Sequence, residues 1–434
     1  MEPIGQLFER QFAGLDPKDP QYAVEVVDRL LAAGRELGAS DLHLQPSPEG
    51  LDVRFRIDGL LSPGPRFPAA VSANIIARLK VRAELLTYRN DAPQEGRIRT
   101  PQNDVEMRVS TFPTLYGEKA VVRLFAGPQQ YQRLDDLGLP EDVLAPLRRL
   151  LQETSGAILA TGPAGCGKTT TIYACMREVA AHSGRAPPAG GTPPEGRAPP
   201  EGRVPPEGWS RSLVSLEDPI EVAVPGVAQS QVNPAVQFDL ATGLRFLMRQ
   251  DPEVIMVGEI RDQATAEAAL QASLTGHLVL TTFHAGSAAE TVGRLLDMGI
   301  EPYVLRSGLL AILNQRLLRR LCPCAERIDD PDARLGLAVK RVMAPRGCDR
   351  CGGTGYRGRL VLAEMLALSR SELARAILAR SETPVIERLA AEAGMISRWQ
   401  RACRAVDEGL TSPAEVRRVL GFSGGTGGET PPSA

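Results

Sequence analysis

Residues 162 to 169 read GPAGCGKT, and this stretch limits the possible folds more than any other. The spacing G-x-x-x-x-G-K-[ST] calls for an apolar strand before the loop and a helix after it. Both are present: Ile158-Leu159-Ala160 is apolar, and 168–181 reads as a helix. Gly162, Gly165 and Gly167 let the backbone curl so that successive N–H groups point inward at phosphate oxygens. A helix opening at Lys168 adds the positive end of its dipole. Lys168 can reach the β- and γ-phosphates of ATP, and Thr169 can hold Mg²⁺. Pro163, Ala164, Cys166 and Thr170 complete the expected nucleotide cradle. The loop works through its backbone, so a cysteine at 166 is tolerated. The chain holds only five Lys against 45 Arg, so a Lys kept at this position draws notice.

The surrounding rhythm agrees with this loop. Helix 141–152, strand 157–161, helix 168–181, strand 213–217, helix 239–249, strand 254–258, helix 264–274 and strand 277–282 alternate. The strands are apolar on both faces, which predicts a buried parallel sheet covered by helices. One segment breaks the rhythm. Residues 183 to 208 carry PPEG three times at a six-residue period. Dominated by Pro and Gly, the segment reads as a disordered insertion, with a docking strap for a partner as the other reading. The tail 423–434 reads as disordered too.

Phosphate chemistry also needs carboxylates, one for Mg²⁺ and one to orient the attacking water. Two acid clusters follow strand ends, where ligands of parallel sheets bind. The first is SLEDPIE, with Glu217, Asp218 and Glu221, and the second is VIMVGEIRD, with Glu259. The Asp usual at the end of this second strand is Gly258 here, which leaves the role to Glu259. His277 and His284 bracket the last strand of the series. Thr281, Thr282 and His284 at its carboxyl end are placed to sense a γ-phosphate.

Before residue 125 the pattern is different. Residues 22–37 and 71–86 read as helices, and Leu51, Val53, Phe55 and Ile57 alternate with charged residues up to a turn at Asp58-Gly59. Two more strands, about 105–111 and 119–125, flank Tyr116-Gly117. Together they predict an α+β module with no phosphate loop of its own.

Near the other end, Cys322 and Cys324 are followed 23 residues later by Cys348 and Cys351. Two cysteine pairs separated by a long loop fit tetrahedral zinc, in a structural site with no open position for water. Free thiols and another metal are the remaining readings. Composition sets the background. The chain is 43% hydrophobic and 24% charged, which excludes a mainly disordered protein. With 50 basic and 52 acidic residues it carries no strong global attraction to nucleic acid or anionic lipid. No apolar run is long enough for a transmembrane helix, and the start lacks a signal-peptide layout. A cytoplasmic setting is expected.

Taken together, the motifs resemble the secretion ATPases of type II secretion and type IV pilus assembly, from about Ala39 to Val419. ASDLHLQP (39–46), VRFRIDG (53–59), PQEGRI (93–98), MRVSTFPTLYGEKAVVRL (107–124) and LDDLG (134–138) look like the arm that precedes the motor. GPAGCGKTTT (162–171), EDPIE (217–221), LMRQDPEVIMVGEIRDQATA (247–266), TGH (275–277) and TTFHAG (281–286) are similar to the family's Walker A, aspartate-box, Walker B and histidine-box motifs. QRLLRRLCPC (315–324) and CDRCGGTGYRGR (348–359) resemble its zinc module, although CPC is one residue shorter than the family's C-x-x-C.

The resemblance implies a RecA-like P-loop core with a preceding α+β arm and a C-terminal zinc-binding and helical module. The expected boundaries are a short helical segment 1–38, arm 39–130, motor 131–321, zinc module 322–366 and helical region 367–422. It implies Glu221 as the catalytic acid, Glu259 as the Walker B acid, and His277 and His284 as histidine-box residues. Arg97, Arg108 and Arg123 become candidates to reach a γ-phosphate, with pairing to local acids as the other reading. The implied protein is a homohexameric ATPase, peripheral at the inner membrane through platform and assembly proteins, with no direct nucleic-acid contact. Assembly-type members carry a further N-terminal docking domain, whereas about 38 residues precede Ala39 here. A related motor for DNA uptake or conjugation, a decayed hexameric scaffold and a metabolic kinase are the competing readings. The kinase leaves the arm motifs and cysteine pairs unexplained.

Overall fold

The computed structural model describes residues 4–98, 107–124, 131–182, 211–368 and 371–422. The PPEG insertion and the tail from 423 lie outside the described residues. The chain divides into two compact units: 1–127 with 319–359 and 406–415, and 128–318 with 360–405 and 416–434.

The first unit opens with α1 (Ile4–Phe12), α2 (Tyr22–Glu36), β1 (Asp41–Ser47), β2 (Gly50–Ile57), β3 (Leu60–Phe67), α3 (Ala69–Arg82), β4 (Gln94–Ile98), β5 (Met107–Thr114) and β6 (Gly117–Arg123). The strands form an antiparallel sheet in the order β3-β2-β1-β6-β5-β4. One face is apolar, built from Leu42, Leu44, Val53, Phe55, Val109 and Val122. Packed in the same core are Val26, Val27, Leu30 and Leu31 of α2 with Ile75, Ile76 and Leu79 of α3. Helix α3 stops at Arg82, short of the expected 86: Glu84 turns the chain out at φ +58°. Strand β3 reads LLSPGPRF, and its prolines are accommodated because it is the edge of the sheet.

The second unit begins with α4 (Glu141–Leu150), β7 (Gly156–Thr161), α5 (Lys168–His182), β8 (Leu213–Glu217), β9 (Ala228–Gln231), α6 (Leu240–Leu247), β10 (Val254–Val257), α7 (Gln263–Leu274), β11 (Leu278–Phe283), α8 (Ala288–Asp297) and α9 (Pro302–Gly308). Strands β12 (Leu309–Leu321), β13 (Glu326–Ile328), β14 (Val342–Ala344) and β15 (Tyr356–Ala367) follow, and α10 (Ser371–Leu378), α11 (Thr383–Glu392), α12 (Arg398–Asp407) and α13 (Pro413–Leu420) end the described chain. A seven-stranded sheet runs β15-β12-β7-β11-β10-β8-β9. From β12 to β9 every neighbouring pair is parallel. Strands β7, β8, β10 and β11 are buried at every residue. Alternation explains why. Ala157 and Leu159 of β7 join the core with α6 to α9, while Ile158 and Ala160 join the core with α4 and α5. Covered on both faces, such strands read as continuous apolar runs.

Strands β12 and β15 contribute residues to both units. The short antiparallel pair β13–β14 and the cysteine segment belong to the first unit. Within that unit, Asp58 of the β2–β3 turn accepts a hydrogen bond from Gly358 N at 2.9 Å.

Candidate functional site

The phosphate loop occupies the step from the end of β7 at Thr161 to the start of α5 at Lys168. Gly162 and Gly165 have φ of +142° and +73°, conformations that L side chains rarely adopt. Lys168 is 8% exposed, and its Nζ donates to the carbonyls of Gly162 (3.0 Å) and Pro163 (2.9 Å). Burial pushes the Lys168 pKa down, while Glu259 and Glu221 work to raise it. Both sequence-picked acids therefore lie within electrostatic reach of this ammonium. Thr169 and Thr170 follow in the first turn of α5, each partly exposed.

The two acid clusters divide by environment. Glu217, at the end of β8, is 2% exposed. Its carboxylate accepts from Ser215 Oγ (2.6 Å), from Gln229 Nε2 (2.9 Å) and from the Tyr173 hydroxyl. Its hydrogen-bonding capacity goes to holding β8, β9 and α5 together. Burial and the Glu217 charge push the Tyr173 phenol far above its ordinary range, so it remains a donor. Glu221 is exposed, and its backbone N–H donates to Tyr173 Oη at 3.1 Å. Beyond β10, Glu259 pairs with Arg261, which also donates to Asp218 Oδ2 at 3.0 Å. His284 Nε2 lies 3.5 Å from Glu259 Oε2. Burial and Lys168 lower the His284 pKa, against the pull of Glu259, which favours a neutral ring at neutral pH.

Other sequence-picked residues of this region are placed elsewhere. His277 immediately precedes β11, its carbonyl accepts from Gly156 N at 3.1 Å, and its Nδ1 lies 2.9 Å from Ala272 O. Gly156 is the first residue of β7 and the phosphate loop follows its last, so about 20 Å of strand separates them. The chain does not bring His277 to its own phosphate loop. Thr281 and Thr282 are buried, and Thr282 Oγ1 donates to Gly258 O at 2.8 Å. The Thr282 hydroxyl is thus spent on Gly258 O, while Thr281 Oγ1 is buried with no hydrogen-bond partner among the described residues.

In the first unit, Arg97, Arg108 and Arg123 are direct cross-strand partners on β4, β5 and β6. Asp41 continues the row on β1, opposite Arg123 on one side and Arg56 on the other. Asp41 takes an ion pair from Arg123 Nε (3.2 Å) and Arg56 Nε (3.3 Å). The three arginines line a groove of about 450 Å³ with Glu95 and Ser110. Like charges set directly opposite cost stability, and the Asp41 carboxylate offsets this at the Arg123 end of the row.

Also within this unit, Cys322, Cys324, Cys348 and Cys351 place four Sγ atoms within 4.8 Å of one another. The separations are 3.8 Å for Cys322–Cys348, 3.9 Å for Cys324–Cys351 and 3.8 Å for Cys348–Cys351. A tetrahedron with zinc–sulfur bonds of about 2.3 Å has edges of about 3.8 Å, so the donor set fits zinc. Burial works against ionisation of Cys351, but the N–H groups of Cys348 (3.1 Å) and Gly355 (3.2 Å) bring its pKa down to about 7. The one-residue spacing of the CPC pair does not prevent this convergence.

A family model described as Type II/IV secretion system protein matches residues 16–418. The chain belongs to this family. It is 37% identical over 412 residues to the type IV pilus assembly ATPase TfpB of Acinetobacter baylyi, across 92% of this chain and 66% of that protein. The chain thus spans just under two thirds of that relative's length. It is 36% identical over 412 residues to the type II secretion system protein E of Klebsiella pneumoniae, across 93% of this chain and 77% of that one. Among solved structures, the X-ray structure of the Legionella pneumophila ATPase DotB is similar in fold, with a TM-score of 0.63, 19% identity, and coverage of 93% of this chain and 97% of that one.

For this secretion-family member, sequence reasoning passed over the strand beneath the phosphate loop. Asn314, Gln315 and Arg316 follow one another on β12. Asn314 Nδ2 donates to Thr161 Oγ1 (2.9 Å), Gln315 Nε2 to Cys166 O (2.9 Å) and Arg316 Nη2 to Gly286 O (2.9 Å). Arg261 was passed over too. The signal for β12 was present as polar residues interrupting the apolar run LLAILNQRLL.

Proposed function

We propose that this chain is a P-loop motor ATPase with a RecA-like core that drives type II secretion or type IV pilus assembly. The observation that carries the reading is the buried Lys168, held on the carbonyls of Gly162 and Pro163 in the glycine-rich step from the parallel strand β7 to α5. The backbone of residues 162–167 cradles the phosphates of ATP, and Lys168 turns from its carbonyl partners to the β- and γ-oxygens. Thr169 and Glu259 would hold magnesium, which would neutralise charge on those oxygens. Glu221 is exposed and would orient a water, whereas Glu217 is buried and already accepts three hydrogen bonds. Arg261 and His284 fix the Glu259 carboxylate.

The homohexamer, the arginine row as a γ-phosphate contact and peripheral placement at the inner membrane through assembly proteins belong to this reading. So does structural zinc in the cysteine cluster. Support comes from the family match and from the arginine and sulfur geometries described above. The test is a pair of variants, Glu221→Gln and Glu259→Gln. Each should bind nucleotide as the wild type does and lose turnover, because the cradle persists while water or metal positioning fails. Wild-type turnover in both would refute the assignment.

A further inference from the structure

We infer that Gln315 is a positioning residue that sets the shape of the phosphate loop; the inference rests on the ATPase reading of that loop. Gln315 is 2% exposed on β12. Its amide grips two places at once. Nε2 donates to Cys166 O at 2.9 Å, and Oε1 accepts from Thr171 Oγ1 at 3.1 Å. Its backbone also abuts the loop. The Gln315 carbonyl oxygen lies 2.5 Å from the point a Cβ on Gly162 would occupy, and Nε2 lies 3.2 Å from the corresponding point on Gly167. One side chain and its own carbonyl therefore meet the entry of the loop, its last peptide and the first turn of α5.

The bond to Cys166 has a directional consequence. A trans peptide is planar, so its C=O and N–H point in opposite directions. Holding the Cys166 carbonyl on Gln315 turns the Gly167 N–H away from β12, toward the mouth of the loop. That N–H is one of the donors a phosphate cradle depends on. The grip on Thr171 fixes the helix end at the same time, so the N–H groups of 167 and of the first helical turn keep a common aim. Without the amide, the Cys166–Gly167 peptide is free to rotate, and the buried carbonyl has an incentive to find another donor.

The experiment replaces Gln315 with methionine, which keeps the volume and removes both hydrogen bonds. Gln315→Met in the full-length chain should raise KM for Mg·ATP about tenfold and leave kcat within about twofold. Cradle contacts are made in the ground state and the transition state alike, so their loss appears in KM. The affinity for ADP, read by titration of a fluorescent analogue, should fall by the same factor. A merely structural role lowers the active fraction, which reduces kcat and leaves KM unchanged; that result would overturn the inference. So would a KM and an ADP affinity both within twofold of wild type. If Gln315→Met does not fold by circular dichroism, Gln315→Glu takes its place. It keeps an acceptor for Thr171 but sets an oxygen against Cys166 O, and should show at least the same loss of ADP affinity. Wild-type protein that releases no phosphate would instead sink the ATPase reading, and the ADP titration would still decide the role of Gln315.

Discussion

Replacing Gly162 with alanine probes how tightly β12 fits beneath the phosphate loop. The φ of Gly162 is +142°, and holding a residue with a Cβ there costs about 1–3 kcal/mol. The new Cβ would lie 2.5 Å from the Gln315 carbonyl oxygen and 2.6 Å from Cys166 Sγ, where ordinary contact begins at 3.4 Å. Loop and strand must part by roughly an ångström, and overpacking of this kind costs about 1–3 kcal/mol. Strand β12 is held between β15 and β7, so the loop is what gives way. The sum is about 4 kcal/mol of destabilisation with a displaced cradle. Gly165→Ala is the internal control. Its φ is +73° and nothing lies within 4 Å of its would-be Cβ, so only the left-handed conformation counts, about 1 kcal/mol. Urea unfolding of the full chain and titration with a fluorescent ADP analogue read both quantities. Gly162→Ala should unfold at clearly lower urea and lose more than tenfold in affinity. Equal unfolding midpoints for the two variants would refute the reasoning, because they would mean that β12 does not confine the loop.

Other consequences follow from the same geometry. Glu217→Ala should destabilise the fold by about 3 kcal/mol, since the buried Ser215 and Tyr173 hydroxyls and the half-buried Gln229 amide lose an acceptor, whereas Glu221→Gln should unfold like wild type; circular dichroism against urea compares them. The cysteine cluster should carry one zinc per chain by elemental analysis after chelator-free, reducing purification. Chelation should free four reactive thiols and remove a stabilisation that reaches on the order of 10 kcal/mol in small tetrathiolate peptides. Zinc well below one per chain would mean free thiols at Cys322, Cys324, Cys348 and Cys351. Deleting residues 185–208 should leave phosphate release within about twofold, because closure entropy changes slowly with loop length. A large fall would give the PPEG repeats a docking role.

The parts of this fold legible in the sequence are those where one local rule decides the outcome. Strands β7, β8, β10 and β11 announce themselves as apolar runs between helices, and the glycine spacing of 162–167 admits few other backbones. Residues whose roles come from distant partners stayed hidden. Gln315 is 149 positions from the Cys166 carbonyl it holds, and no spacing rule links them. Glu217 and Glu221 look alike in SLEDPIE, and burial separates the structural carboxylate from the exposed one. Strand β3 was concealed by Pro63 and Pro65, which argue against a strand unless its edge position is known. The arginine row is a matter of register: Arg97, Arg108 and Arg123 align only when β4, β5 and β6 are paired.

The central claim is that Lys168 and its loop serve ATP hydrolysis. Phosphate release by the purified full-length chain with Mg²⁺ and ATP, measured for wild type and Lys168→Ala, tests it most directly. Lys168 bonds only to loop carbonyls in the described structure, so the substitution should leave the unfolding transition within about 1 kcal/mol of wild type. The account predicts steady release by wild type and background release by a folded Lys168→Ala. Turnover near wild type in Lys168→Ala would contradict it, as would a wild-type chain that binds ATP and never releases phosphate.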